Sequence, residues 1–364
     1  MTLHFYFARK FLTSVMTTLA ILTVLVILID LVEHSRKYSD LLNLNGILRL
    51  TLLNTPKGVY EVIDLVMLIA SISFFGSISK SSELVVVRGS GRSVYGTLFS
   101  PFCVSLILGF VFVALFNPLV ASSSKSYLNM KEILIQGNKS VFSVGSEGLW
   151  LRQGTDAQQS VIRAAMTNVD ASTLYNVTII SFDHDGSVTR RIEAESAKIL
   201  EKNWQLNNAK IWPVAKGINS EKNSKKLDKL IIKSSISKEE ITERFGEPHM
   251  ISIWNLRTHI AQLKAVGFSM RRYEVRYQSE LSHPIFLSAM MLVGSAFAMK
   301  KFVGNRRSLA IIASILLGFS LFYIRTFSAL LAEGNQLNLI AATWIPTISG
   351  ILISLGTIIH MEDG

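Results

Sequence analysis

The chain has 364 residues, 49% of them hydrophobic and only 17% charged, yet 37 Lys and Arg stand against 26 Asp and Glu, a net charge of +11. A soluble domain holds about 25% charged residues, so the chain is too apolar to be one and too charged to lie wholly in a bilayer. Disorder, collagen and coiled coil are excluded, and the composition implies membrane helices and a water-exposed domain in one polypeptide.

Six apolar runs reach the roughly 20 residues needed to cross a bilayer. They are Phe11 to Val32, Val59 to Ser79, Leu98 to Val120, Pro284 to Phe302, Leu309 to Leu331 and Leu339 to His360. The first follows Arg9 and Lys10, but it is too long for a signal-peptide core and no small-residue cleavage site follows it, so it reads as a retained helix. With the N-terminus inside, the short inner segments hold Arg9, Lys10, Lys80, Arg88, Arg92, Lys300, Lys301, Arg306 and Arg307. The short outer loops hold only Arg36, Lys37, Arg49 and Lys57. Positive-inside therefore predicts both termini in the cytoplasm. The predicted layout is helices one to three in 1–120 with a cytoplasmic loop at 80–97, an external domain at 121–283, and helices four to six in 284–364.

The external stretch carries period-two patterns. Val177, Ile179 and Ser181 alternate with Thr178, Ile180 and Phe182; Asp185-Gly186 is a turn signal; Ile192, Ala194 and Ser196 then alternate with Arg191, Glu193 and Glu195. A second hairpin turns near Glu201-Lys202-Asn203 and returns through Trp204, Leu206 and Ile211. Such spacing predicts an antiparallel sandwich or curved sheet. The lysine-rich segment from Gly217 to Lys233 reads as a solvated loop or an edge strand. Ile253, Leu256, Ile260 and Leu263 then follow helical spacing, with Gly267 as the stop.

Most of the 37 basic residues fall in this domain, and the inner ones set topology, so the basic charge does not indicate nucleic acid. The lone Cys103 permits neither an intramolecular disulfide nor a cysteine-based zinc site. Gly89-Ser90-Gly91-Arg92-Ser93 lacks phosphate-loop spacing, and neither a G-x-S-x-G elbow nor an H-x-x-x-H pair is present. An enzyme acting on lipid has no catalytic constellation behind it.

Charges inside or beside the helices carry more information, because a charge in hydrocarbon costs several kcal/mol. Asp30, Glu33, His34 and Lys37 form one stripe at the outer end of helix one, Lys57, Glu61 and Asp64 another at the start of helix two, and Arg325 lies within helix five. Two readings fit: the groups snorkel to the interface, or they line an outward-opening polar cavity in which Arg325 pairs with Asp64. In the cytoplasmic loop, Ser81 or Ser82 is positioned to cap a short helix with Glu83 in its first turn. Leu84, Val85 and Val87 would dock on a partner subunit or rest on lipid.

That loop, Ser82-Glu83-Leu84-Val85-Val86-Val87-Arg88-Gly89-Ser90-Gly91, resembles the S-E-L-V-V-M-x-A-S-G stretch of the LptF/LptG family of lipopolysaccharide export permeases. Thr55-Pro56-Lys57 is similar to the family's V-P-K before helix two. Ile253 to Gly267, Arg272-Tyr273 and Pro284 also match, as does the three-plus-three layout along the whole chain. The loop and the chain length look more like the LptG than the LptF branch.

The resemblance implies a helical polytopic membrane protein with an inserted all-β domain, a β-jellyroll, in the bacterial inner membrane. It implies an ABC transporter subunit, not itself an enzyme. The partners would be an LptF-like permease and an LptB-like ATPase dimer, with LptC- and LptA-like proteins forming a periplasmic bridge for lipopolysaccharide. No cofactor belongs to this chain; ATP and Mg would sit on the ATPase. Glu83, Leu84, Arg88 and Gly89 would form the ATPase-coupling segment, and Arg36 and Lys37 would contact the anionic headgroup. Lys57 and Arg325 are added to the substrate site from the charge pattern alone, which puts them on the rim of the expected cavity. Asp30, Gln278 and Glu280 depart from the family pattern, Asp30 standing where a lysine is usual. Competing readings are another lipid or lipoprotein exporter permease, whose external domain usually follows the first helix, and a membrane-anchored assembly or sensor protein.

Overall fold

The computed structural model describes residues 2–81, 94–136, 142–145, 148–155, 158–167, 173–183, 186–200, 203–214, 219–234, 248–265, 269–299 and 305–363. It divides into two compact units. One holds 1–127, 252–254 and 274–364; the other holds 128–251 and 255–273.

The first unit is helical. Its elements are α1 (Thr2–Tyr38), α2 (Leu44–Lys80), α3 (Val94–Val111), a π-helical turn at Phe112–Phe116, α4 (Asn117–Gln136, which runs on into the second unit), α6 (Arg271–Ala298), α7 (Asn305–Glu333) and α8 (Leu339–Asp363). Among the described residues six segments are long and apolar enough to cross a membrane: Leu3–Tyr38, Leu44–Lys80, Gly96–Lys131, Arg271–Ala298, Ser308–Glu333 and Leu339–His360. Five of the six predicted runs fall inside them; the fourth, Pro284 to Phe302, does so as far as Ala298, and residues 300–302 lie outside the described residues.

The boundaries shift, because an apolar run marks only the part of a helix lying in hydrocarbon. At 1.5 Å per residue, the 37-residue α2 extends well past a core of about 30 Å. It therefore takes in Arg49, Thr55, Pro56 and Lys57, which the sequence placed in an outer loop. Likewise α3 and α4 continue the third span beyond residue 120 to Gln136, and α6 begins at Arg271, 13 residues before the predicted start at Pro284. Pro284 sits inside α6. Gly109 of α3 makes room for it, since a Cβ there would lie 2.5 Å from the Pro284 Cα.

The core of this unit is built from α2 and α6, with Met67, Leu68, Phe286, Met290 and Val293 fully buried. Helices approach closely where side chains are small: a Cβ on Gly294 would meet the Ser71 Cβ at 2.5 Å and the Leu68 carbonyl at 2.8 Å.

The second unit contains a seven-stranded antiparallel sheet whose neighbours in sequence are neighbours in space. The strands are β1 (Phe142–Gly145), β2 (Gly148–Thr155), β3 (Gln158–Thr167), β4 (Thr173–Phe182), β5 (Val188–Leu200), β6 (Asn203–Pro213) and β7 (Lys225–Lys233). The alternation read from the sequence is observed at Val177, Ile179, Ile192, Ala194, Trp204 and Leu206, which are buried, whereas Ser196 and Ile211 are only half-buried and the inward phase of β5 shifts to Ala197 and Ile199. Gly186 takes φ +78° in the β4–β5 turn, where a left-handed residue is needed. β5 and β6 meet at Leu200↔Asn203, where the second hairpin was predicted. The lysine-rich segment ends in the edge strand β7, its charges outward, which suits an edge.

The sheet is strongly curved. In a flat sheet β2 and β6, four strands apart, would be separated by about 19 Å, yet the Trp204 indole on β6 donates to Gln153 Oε1 on β2 at 3.1 Å. The buried face therefore folds over on itself and makes its own core. After the sheet, α5 (Ile253–Ala265) buries Ile253, Leu256 and Leu263, as its spacing predicts. Gly267 lies outside the described residues.

Candidate functional site

Polar groups in membrane helices have no water to satisfy them, so they must find each other. On α2, Tyr60 and Asp64 are four residues apart and share a face; on α6, Arg276, Glu280 and His283 do the same over two turns. α7 contributes Arg325. Asp64 is 4% exposed. Its Oδ1 accepts from His283 Nε2 at 2.9 Å and its Oδ2 from Arg325 Nη1 at 3.3 Å. Arg325 Nη2 donates to the Ser279 carbonyl at 3.0 Å, and the guanidinium lies 4.4 Å from the Phe286 ring centroid.

Glu280, equally buried, pairs with Arg276 at 2.5 Å and accepts from the Tyr60 hydroxyl. Tyr60 lies 3.5 Å from His283 Nδ1, so the two ion pairs join into one network. Two carboxylates, Asp64 and Glu280, face two guanidiniums, Arg325 and Arg276, so these four charges balance. Balance is what permits burial, since removing one partner of a buried pair leaves an uncompensated charge.

The network walls a cavity of about 450 Å³, whose lining also includes Glu61, Phe322, Leu330 and Glu333. The Arg325–Asp64 pair, one of the two readings that the sequence left open, is present. His283, Arg276, Glu280 and Tyr60 were missed. Their signal was the 276, 280, 283 spacing, hidden once helix four was started at Pro284.

The helix-one stripe divides. Asp30 accepts from Asn54 Nδ2 at 2.9 Å, and His34, 4% exposed, bonds Thr51 Oγ1 and the Tyr127 hydroxyl, each at 3.1 Å. These two residues tie α1 to α2 and α4, which gives Asp30 a structural task. Glu33 and Lys37 point outward and pair at 2.5 Å, an exposed i,i+4 contact that adds little to stability. Arg36 is exposed and Lys57 half-buried on α2. The structure thus brings Arg325 to the cavity, while Arg36, Lys37 and Lys57 are absent from its described lining. Glu83, Leu84, Arg88 and Gly89 lie outside the described residues, between Ser81, which caps α2, and the start of α3.

One further contact surrounds Tyr60. Its ring stacks on Phe116 of the π turn at 6.3 Å and 5°. The Ala114 carbonyl in that turn accepts from Trp254 Nε1 at 3.1 Å, and Asn117 Oδ1 accepts from the Ile253 backbone N–H at 2.9 Å. Asn117 thereby serves one of the orphan donors at the start of α5, as a capping side chain does.

Among the described residues no group of three or more His, Cys, Asp or Glu side chains is placed to hold a metal.

The profile of the family "Lipopolysaccharide export system permease LptF/LptG" matches residues 5–360. The chain is 22% identical over 361 residues to the lipopolysaccharide export system permease protein LptG of Escherichia coli strain K12, covering 96% of each. It is 22% identical over 334 residues to LptG of Haemophilus influenzae, covering 89% of this chain and 88% of the relative. The match runs through all six apolar helices and the sheet between them, and the chain belongs to the LptF/LptG permease family.

Proposed function

We propose that this LptF/LptG-family permease is one half of the membrane channel of an ATP-driven exporter. In this reading it lifts lipopolysaccharide from the outer leaflet of the bacterial inner membrane and passes it to a periplasmic bridge. The observation that carries the reading is the unbroken family match across both three-helix halves and the inserted sheet. The second permease would be LptF-like, ATP and Mg would be held by an LptB-like dimer, and the curved sheet would face LptC- and LptA-like proteins in the periplasm with both termini cytoplasmic.

The physical demands of the task agree with this chain. Extracting a lipid with several acyl chains exposes much apolar area, at about 25 cal/mol per Å², so apolar walls must replace the bilayer while work is supplied from outside. The single chain leaves long apolar faces open on α1 (Leu25, Leu28, Val32) and α7 (Leu316, Tyr323, Phe327), which suit acyl chains and a second permease. Arg36 and Lys37, exposed beyond the apolar part of α1, would meet the phosphates of the headgroup. Lys57 and the Arg325 donors not taken by Asp64 and Ser279 would form the deeper cationic rim.

Glu83 would meet a basic residue of the ATPase. The test is Glu83→Ala in the purified transporter: ATP hydrolysis should uncouple from lipopolysaccharide release while the chain inserts normally. Release at the wild-type rate would refute the coupling role. Charge reversal at Arg36 and Lys37 together should weaken photocrosslinking to lipopolysaccharide, and unchanged crosslinking would remove both from the site.

A further inference from the structure

The third membrane span is interrupted by the π turn Phe112–Phe116, and the cause stands just after it in the sequence. Pro118 has no N–H, so the carbonyl of Ala114, four residues earlier, has no partner in an α-helical ladder, and the proline ring crowds that carbonyl. A local π adjustment is one way in which a membrane helix accommodates a proline. The ladder resumes at the Asn117 N–H, which donates to the Phe112 carbonyl. The Ala114 carbonyl is turned aside and accepts from Trp254 Nε1 at 3.1 Å.

The turn therefore has two sides. On one, Ile253 and Trp254 open α5, and both belong to the helical unit. Trp254 is 68% exposed, so packing does not pin it, and its bond to the Ala114 carbonyl is what places it. Asn117, buried just after the turn, accepts from the Ile253 N–H at 2.9 Å. On the other side, Phe112 and Phe116 lie 4.9 Å apart and both face Tyr60, at 6.5 and 6.3 Å. Tyr60 donates to Glu280, and its ring lies 5.5 Å from the Arg276 guanidinium. An i→i+5 turn takes up one residue more than an i→i+4 turn. Closing it would rotate one side against the other by about 100°, so Phe112 and Asn117 would not both keep their contacts.

We propose that the π turn is a conformational joint coupling the seating of the α5 start to the Tyr60–Glu280–Arg276 arm of the ionic network. With Trp254 and Ile253 seated, the turn stays open and Phe116 backs Tyr60 against Glu280. When the start of α5 lifts, the Ala114 carbonyl loses its indole donor, the turn relaxes and Tyr60 is released from the cavity wall. Such coupling is reciprocal, and it does not depend on what the cavity binds.

The test uses the full chain in mixed micelles, with Cys103→Ser so that one introduced cysteine reports. Ala329→Cys, in the cavity lining, reports the wall through its rate of labelling by a charged thiol reagent. Hydrogen exchange of the Ile253 amide reports the α5 start. Trp254→Phe removes one N–H from an exposed side chain and should speed labelling at position 329 by about fivefold or more. Tyr60→Phe removes the hydroxyl and should speed exchange at Ile253 by about the same factor. Pro118→Ala supplies an N–H to the Ala114 carbonyl and should move both readouts together. Ile78→Ala opens the core about 27 Å along α2 from Tyr60 and should move neither. The proposal is overturned if the distant readout is unmoved in any of the first three variants, or if Ile78→Ala moves both readouts as much. Neither readout involves lipopolysaccharide release, so failure here is distinct from failure of the transport reading.

Discussion

Two membrane helices of this chain contrast. In α1 only 6% of the most apolar window is buried within the protein, whereas in α6 the figure is 83%. The buried helix is the more polar: α6 carries Arg276, Glu280, His283 and three buried serines, while the exposed face of α1 is Leu, Ile and Val. In water the order would be reversed. Lipid tails are as apolar as leucine, so apolarity gives no reason to leave them; what drives helices together is close packing and the pairing of polar groups. In a membrane helix, polar residues mark the inside.

That contrast can be broken by experiment, most forcefully at Asp64. Asp64→Leu strands Arg325 and His283 beside a buried Glu280, and losing one partner of a buried pair costs about 3–5 kcal/mol. Unfolding in mixed micelles should register that loss, and Asp64→Leu combined with Arg325→Leu should recover much of it. A cost below about 1 kcal/mol for the single change, the value of an exposed pair, would show that the network is wet.

Next is Gly294→Val. Its Cβ would press on Ser71 and the Leu68 carbonyl, and overpacking of this kind costs about 1–3 kcal/mol. By contrast Leu25→Ala, on the open face of α1, should stay within about 0.5 kcal/mol in the single chain. Equal losses at Gly294 and Leu25 would erase the distinction between the helices.

The weakest effect is expected in the second unit, where burial acts on a titrating group. His259 on α5 packs edge-on to Tyr273 at 5.2 Å, and its buried Nε2 has no hydrogen-bond partner among the described residues. Burial lowers its pKa below the usual histidine value of 6.5. The unfolded chain then binds a proton more readily than the folded one, so stability rises with pH and falls as pH drops below about 6.5. Hydrogen exchange in α5 should quicken between pH 7.5 and 5.5, and His259→Gln should flatten that dependence. An unchanged slope in the variant would assign the effect to another group.

How much of this was legible in the sequence differs between fold and site. The six spans follow from hydropathy, and the strands β4 to β6 follow from period-two alternation, because each pattern is local and burial on one face enforces it. The sequence left a sandwich and a curved sheet open, and the choice between them rests on Trp204 reaching Gln153, 51 residues away. In the site, Asp64 and Arg325 could be paired from sequence because each is too costly to bury alone. His283 and Glu280 could not, since Pro284 looks like a helix start when it sits mid-helix, accommodated by Gly109.

The sequence by itself determined the number of spans, the inserted β-domain, the sign and placement of charge, and the family. These depend on residue type and spacing along the chain. Only the tertiary structure decided that Asp30 and His34 turn toward α2 while Glu33 and Lys37 turn outward, that Arg325 is shared by Asp64 and the Ser279 carbonyl, and that Tyr60 links two ion pairs. The reason is physical: spacing fixes which residues share a face of one helix, but the partner that neutralises a buried charge is set by how helices far apart in sequence pack together.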